Sequence, residues 1–306
     1  TDGINTRLAW IEARSGNKSR PWVNPDQACS DLAIAAGDLL FKKYPQKKSQ
    51  IGQLILATIS GDYPSPPTSP LVQKGLGLGE VGCYDLAAAC AGFATALYPA
   101  ICQSLASDED QLVICADIRS KFLNAKDLSP ALLSGDGAGA SVVGAGRGGV
   151  RVKILGVLLK SNGDFHDLIK IPTGGSRAPV NASPEATNET YIKMGQGAAV
   201  FLSALDAMVT IGQQLLTKVG REISDIKWLV PHQANKLIID QVAQKLGVAE
   251  QNVILTIPQT GNISGASSII ALHALTQRTD LQAGDLVVNV SAGGGGLAAG
   301  CLLEVL

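Results

Sequence analysis

The order of apolar runs and small-residue turns in this chain occurs twice, and that repetition constrains the fold more than any single segment. In the first half a helix spaced for one apolar face (Ala28, Leu32, Ala35, Leu39, Leu40) ends in the basic turn Lys42 to Lys48. The buried-strand run Leu54-Ile55-Leu56-Ala57-Thr58-Ile59 follows it. After the proline-rich loop Ser60 to Pro70 come the small residues around Cys90, a helix with Phe93, Leu97, Ile101 and Leu105 four apart, and the run Leu112-Val113-Ile114-Cys115-Ala116. The second half repeats these parts: a helix from about Ala198 to Lys218, the strand Trp228-Leu229-Val230, the turn Gly261 to Ser267, a helix, and the strand Leu286 to Val290. Leu112 answers to Leu286 and Ala91-Gly92 to Ser264-Gly265, at a near-constant offset of about 174 residues. Such self-similarity marks an internal duplication. Strands that alternate with helices and are apolar throughout predict an α/β fold with largely parallel strands buried on both faces. The division is expected at residue 170, giving halves 1–170 and 171–306.

Composition excludes several function classes. With 25 Lys and Arg against 26 Asp and Glu the net charge is -1, so no global field recruits nucleic acid or an anionic membrane. The six cysteines (Cys29, Cys83, Cys90, Cys102, Cys115 and Cys301) lack the spacing of a zinc site or a disulfide framework, which fits a reducing compartment. No apolar run reaches the length of a membrane span, and Thr1 to Thr6 carry no signal-peptide core, so the expectation is a cytoplasmic protein.

Duplication also brings equivalent turns together about a pseudo-twofold axis, and the turns holding Cys90 and Asn262 are such a pair. Cys90 stands at a predicted helix N-terminus, where unsatisfied N–H groups and the helix dipole favour a thiolate, and its Ala and Gly neighbours let a carbonyl approach. A buried structural cysteine is the commoner role for any one cysteine, so the partners decide. His232, in Val230-Pro231-His232-Gln233-Ala234-Asn235, directly follows a predicted strand, where active groups of α/β sheets gather. Of the other histidines, His273 lies within a helix and reads as a packing or surface residue, and loop residue His166 fits either role.

Taken together, AAACAGF around Cys90, VPHQAN around His232, GNISGAS around Asn262, SGDGAGA at Ser134 to Ala140 and the run Gly293 to Gly296 resemble the thiolase-fold condensing enzymes, and most nearly the β-ketoacyl-acyl-carrier-protein synthase III family. The resemblance runs from about Trp10 to Leu306 and implies a thiolase fold of duplicated αβαβα layers. It implies that Cys90 accepts an acyl group from a thioester, with the oxyanion held by backbone N–H groups of Cys90 and Gly295. His232 and the Asn262 amide would then stabilise the enolate left when a malonyl thioester loses carbon dioxide. Trp10, Arg14 and Lys18 match the family's nucleotide-contacting positions, and Lys236 matches the basic residue that docks the acidic carrier protein. Acyl carrier protein and acyl-coenzyme A are the implied partners, no metal or redox cofactor is implied, and a homodimer is expected, with a heterodimer as the alternative. The family has one more strand ahead of the point where this sequence begins.

Several positions depart from the family. Lys18 and Leu128 stand where it has arginines, which predicts weaker coenzyme A binding, since neither side chain offers arginine's planar fork. Gly293 replaces a phenylalanine, and Leu297 and Ala299 replace aromatic residues, so the pocket is expected to open for a bulkier acyl group. A degradative thiolase would need a second catalytic cysteine near the glycine run; Cys301 lies past it in an apolar stretch, which favours decarboxylative condensation. Two other readings compete: an acyltransferase that passes the acyl group to a non-malonyl acceptor, and a non-catalytic partner subunit. The presence of Cys90, His232 and Asn262 together weighs against the second.

Overall fold

Apolar runs too short for helices and too continuous for half-buried strands become the centres of two sheets in the computed structural model, which describes residues 12, 13, 15–124, 127–144, 151–180 and 189–306. The first sheet is built from β1 (Ile51–Ala57), β2 (Gly82–Leu86), β3 (Asp110–Asp117) and β4 (Gly137–Val143), in the order β2-β1-β3-β4. β1 runs parallel to both β2 and β3, while β4 is antiparallel to β3. The second sheet has β5 (Val152–Ser161), β8 (Ile226–Pro231), β9 (Leu286–Gly293) and β10 (Leu297–Val305), in the order β5-β10-β9-β8. Here β8 and β9 are parallel, and β10 is antiparallel to both β9 and β5. A two-stranded ribbon, β6 (Ile169–Lys170) with β7 (Lys193–Met194), lies apart from both.

The equivalence of the halves is visible in these pairings: β1, β3 and β4 answer to β8, β9 and β10. A lone parallel bridge from Leu229 to Val253 stands where β2 stands in the first half. Strand β5 falls within the stretch that a division at 170 gives to the first half, yet it pairs with β10 along Val152 to Ser161. Sheet membership therefore changes between Val143 and Val152, earlier than that division. Residues 82–86 form β2, a half-buried edge strand whose Gly82 and Asp85 mask its period.

Helices fill three layers. Helices α1 (Cys29–Lys43) and α2 (Ser69–Leu76) cover the outer face of the first sheet, where Ala33, Phe41, Val72 and Leu76 meet Leu54, Leu56, Leu112 and Ile114. Between the sheets lie α3 (Gly92–Ser107) and α8 (Ala266–Leu275), and the shared core joins Phe93, Leu97, Ile269 and Leu275 to Ile55, Val113, Trp228 and Val287. On the outer face of the second sheet, α5 (Gly197–Val219) and α6 (Lys236–Lys245) bury Met208, Ile211, Leu215 and Val242 against Leu229, Val288 and Leu302. Two one- to two-turn helices, α4 (Leu128–Leu133) and α7 (Ile257–Thr260), border the site. This is the αβαβα arrangement.

The stretch Ala89–Ser107 and helix α5 do reach the length and mean hydropathy of a membrane span, contrary to the sequence-based expectation. Their apolar character has a local explanation, because α3 is sandwiched between two sheets and α5 lies across β5, β9 and β10.

Candidate active site

The two equivalent turns meet backbone to backbone. Cys90 sits in a single 3-10 turn, Ala89–Ala91, that runs directly into α3. A Cβ added to Gly265 would lie 3.1 Å from the Ala89 carbonyl oxygen and 3.4 Å from Gly92 Cα, so glycine at 265 is what allows the contact. Both turns hold a non-glycine residue in the left-handed region, Ala89 at φ 45° and Ser264 at φ 52°. Such a conformation costs about 1–2 kcal/mol per residue and persists where the surroundings enforce it.

The environment of Cys90 opposes its helix position. The side chain is buried, and burial pushes the thiol up; the Arg119 guanidinium pulls it down, by charge and by hydrogen bonding, Asp117 pushes it up and Ser264 pulls it down. Desolvation is the largest of these effects, and the net shift is upward. Asp117 closes β3, and its own carboxyl is pushed up to about 6 by burial, although it accepts hydrogen bonds from the N–H groups of Ile59 at 2.9 Å and Gly265 at 3.3 Å.

His232 follows β8 directly, and its backbone N–H donates to the Val290 carbonyl at 2.8 Å. The ring is 1% exposed, and among the described residues neither ring nitrogen has a hydrogen-bond partner. Burial, reinforced by the Arg119 charge, pushes its pKa down to about 3, so the imidazole is neutral and carries one N–H donor. Its neighbours are structural. Gln233 donates to the Pro231 and Ile254 carbonyls and accepts from the Thr256 and Ile257 amides, while Asn235 caps α6 by accepting from Leu237 N–H.

Asn262 is held by its backbone, donating to the Leu133 carbonyl at 2.7 Å and accepting from Gly135 N–H at 3.0 Å. Its Oδ1 accepts the Ser264 amide at 2.8 Å, which fixes Oδ1 as the acceptor and leaves the Nδ2 group as a donor. The SGDGAGA segment is the clamp behind this turn. Ser134 bridges to Asn262, and the Asp136 carboxylate accepts the amides of Val23, Arg119 and Ser120.

The glycine run closes the site from β9. A Cβ on Gly293 would stand 2.9 Å from the Cys90 nitrogen and 3.3 Å from the Ala91 nitrogen. The space that a smaller residue was expected to open is therefore filled by the Cys90 turn itself. Beneath it, Ala91, Ala94 and Ala299 pack together with Leu297. Gly295 and Gly296 take φ 82° and 70° in the turn between β9 and β10, a region that favours glycine. Cys301 is buried in β10, its thiol pushed up to about 12 by burial, the profile of an inert core cysteine.

Trp10 and Arg14 lie outside the described residues. Lys18 is exposed, with its N–H donating to the Pro258 carbonyl at 3.0 Å. Lys236 opens α6 and pairs with Asp240 at 2.7 Å, which neutralises much of the charge expected to meet a carrier protein. A Cβ on Gly16 would lie 2.9 Å from Lys236 Cβ, so the segment leading to Lys18 rests on the start of α6. Among the described residues no group of His, Cys, Asp and Glu is arranged to hold a metal ion.

Sequence reasoning missed Asp117 and Arg119. Their signal was available: two charged residues directly after the buried run of β3, at the strand end where sites form.

Five duplicated layers with a cysteine where the paired turns meet define a thiolase-fold enzyme. The comparisons with known proteins place it more narrowly. The profile of 3-oxoacyl-(acyl-carrier-protein) synthase III matches residues 84–163, and that of the same family's C-terminal region matches residues 216–305. A 3-oxopimeloyl-(acyl-carrier-protein) synthase of Rhodothermus marinus is 36% identical over 96% of this chain and 85% of its own length. A β-ketoacyl-(acyl-carrier-protein) synthase III of Chlamydia caviae is 34% identical over 95% of this chain and 87% of its own length. The crystal structure of the Aquifex aeolicus synthase III superposes with TM-score 0.86 at 30% identity, covering 97% of this chain and 90% of that one. The chain belongs to the β-ketoacyl-acyl-carrier-protein synthase III family.

Proposed function

We propose that this enzyme starts acyl chains: it takes an acyl group onto Cys90 and condenses it with a malonyl thioester. In the first half-reaction the Cys90 sulfur attacks the donor thioester, and the N–H groups of Cys90 and Gly295 receive the tetrahedral oxyanion. In the second, carbon dioxide leaves the malonyl group and the enolate oxygen is stabilised by His232 and Asn262. The observation that carries this reading is the pair of donors. The buried imidazole is held neutral with both nitrogens unpartnered among the described residues, and the fixed Oδ1 of Asn262 leaves its amide N–H group to donate. Two neutral donors, linked through Arg119 and Ser134, suit a developing negative charge.

Family membership supports acyl-coenzyme A and acyl carrier protein as the substrates' carriers, with no metal or redox cofactor. Lys18 and Lys236 are the described residues we assign to carrier contact, and we assign the same role to Trp10 and Arg14 on the family resemblance alone. We assign the protein to the cytoplasm and to a homodimer formed through the outer edge of β2, the end strand of its sheet. The two thiolase-like halves are best divided between Val143 and Val152.

Intact-protein mass spectrometry after incubation with a panel of acyl thioesters tests the first half-reaction. An adduct on the wild type that is absent from Cys90→Ala supports the reading. An adduct retained by Cys90→Ala moves the nucleophile elsewhere.

A further inference from the structure

Arg119 is the buried charge that the mechanism leaves unused. It follows β3, is 8% exposed, and is fixed at two points: its backbone N–H donates to Asp136 Oδ1 at 2.7 Å, and its Nε donates to Ser134 Oγ at 3.1 Å. Ser134 is itself bridged to Asn262, so the guanidinium is anchored to the catalytic turn by its inner nitrogen. Its charge reaches both Cys90 and His232. Among the described residues it forms no ion pair with a carboxylate. The two nearby carboxylates are engaged with other donors: Asp136 with the amides of Val23, Arg119 and Ser120, and Asp117 with those of Ile59 and Gly265. The charge of Arg119 acts on the buried Asp117, but that carboxylate is held by backbone amides and among the described residues none pairs with the guanidinium fork, so a bound anion would offset the cost of burying it. Arginine's planar fork matches a carboxylate with two parallel hydrogen bonds.

We infer that Arg119 binds a carboxylate at the far end of the acyl group carried by Cys90, so that the priming donor is a short dicarboxylic acid joined through one end as a thioester. This inference rests on the acyl-Cys90 reading and names its substrate class. A guanidinium that interacts with the Cys90 sulfur limits the chain between thioester and carboxylate to a few methylenes. The carboxylate of the malonyl partner is the poorer candidate on energetic grounds. It must leave as neutral carbon dioxide, so a cation gripping it would stabilise the ground state more than the transition state and slow the step. A distal carboxylate on the primer keeps its charge through both half-reactions, and pairing with it selects the substrate without opposing the chemistry. In the transfer the donor's carbon–sulfur bond breaks as the bond from the acyl carbon to Cys90 Sγ forms. The donor thiol leaves with the Cys90 proton, and the distal carboxylate stays ionised.

Acylation rates, read by intact mass, would be compared for glutaryl- and succinyl-coenzyme A against valeryl- and butyryl-coenzyme A of equal chain length. The wild type is expected to favour the dicarboxylic donors by about 10- to 100-fold, the range of a buried charge-assisted pair. Arg119→Leu should lower that ratio by a similar factor, and Arg119→Lys, which keeps the charge without the fork, should fall between. A wild type that favours the monocarboxylic donors overturns the inference, as does a ratio unchanged in the variants. If Arg119→Leu fails to fold, the wild-type and Arg119→Lys ratios decide. Acylation by none of the four donors overturns the inference, whereas loss of every adduct across a wider panel overturns the acyl-Cys90 reading itself.

Discussion

Single side chains in this site are tuned by burial more than by their elements. At Cys90 desolvation raises the thiol, with Arg119 and Ser264 as the counterweights. His232 gives the same principle a pH signature. Its folded pKa of about 3 lies below the ordinary 6.5, so between those values the unfolded chain binds the proton more readily. Stability is lost as pH falls through that window, by up to about 1.4 kcal/mol per pH unit. Asp117 runs the other way, because its folded pKa of about 6 exceeds the ordinary 3.8 and the folded state takes up the proton first. Replacing His232 by Gln removes the first contribution. The Tm of His232→Gln relative to wild type should rise between about pH 7 and pH 4, and a constant difference would contradict the account. Asn262→Asp exchanges a donor for an acceptor with negative charge, and condensation should fall by about 10²–10³-fold while Cys90 acylation persists. Steady-state and single-turnover rates would separate the two.

At the scale of elements, the site is made by close approach of backbone. The Cys90 turn touches the Ser264 turn at Gly265 and the end of β9 at Gly293. Gly293→Ala puts a methyl 2.9 Å from the Cys90 nitrogen, so the turn must shift. We expect a loss of about 1–3 kcal/mol in stability, as for other overpacked interiors, and acylation slowed at least tenfold. A denaturation curve paired with acylation rates checks both, and unchanged acylation would mean that the turn tolerates displacement. Which elements were legible in sequence follows from the same geometry. The strands at Leu54, Leu112, Trp228 and Leu286 are buried on both faces and announce themselves as apolar runs. Strand β2 does not, because an edge strand with Gly82 and Asp85 has neither a continuous run nor a clean alternation.

For the whole molecule, duplication is readable because element order and offset recur, and it alone predicts Cys90 and Asn262 on facing turns. The sheet to which β5 belongs was not readable, since its partner Val305 lies about 150 residues further along the chain. For Arg119 the sequence shows its place just past the end of β3 but not its role, because a lone arginine has no motif and only the fold brings Ser134, itself bridged to Asn262, to its Nε. The same sheets predict the assembly. Strand β2 ends its sheet, and an unpaired edge is a template for a second copy. Light scattering should give twice the chain mass, and Tyr84→Pro, which removes a donor from β2, should lower it toward the monomer. A wild-type monomer would remove β2 as the interface.

The most direct test of the central claim is a single turnover. Enzyme acylated on Cys90 and freed of excess donor is mixed with malonyl carrier protein, and carbon dioxide and the remaining acyl-enzyme are followed together. One carbon dioxide released for each acyl group discharged, with release lost in the Asn262→Asp enzyme, is the predicted result. Discharge of the acyl group to an acceptor with no carbon dioxide formed would contradict the condensing mechanism.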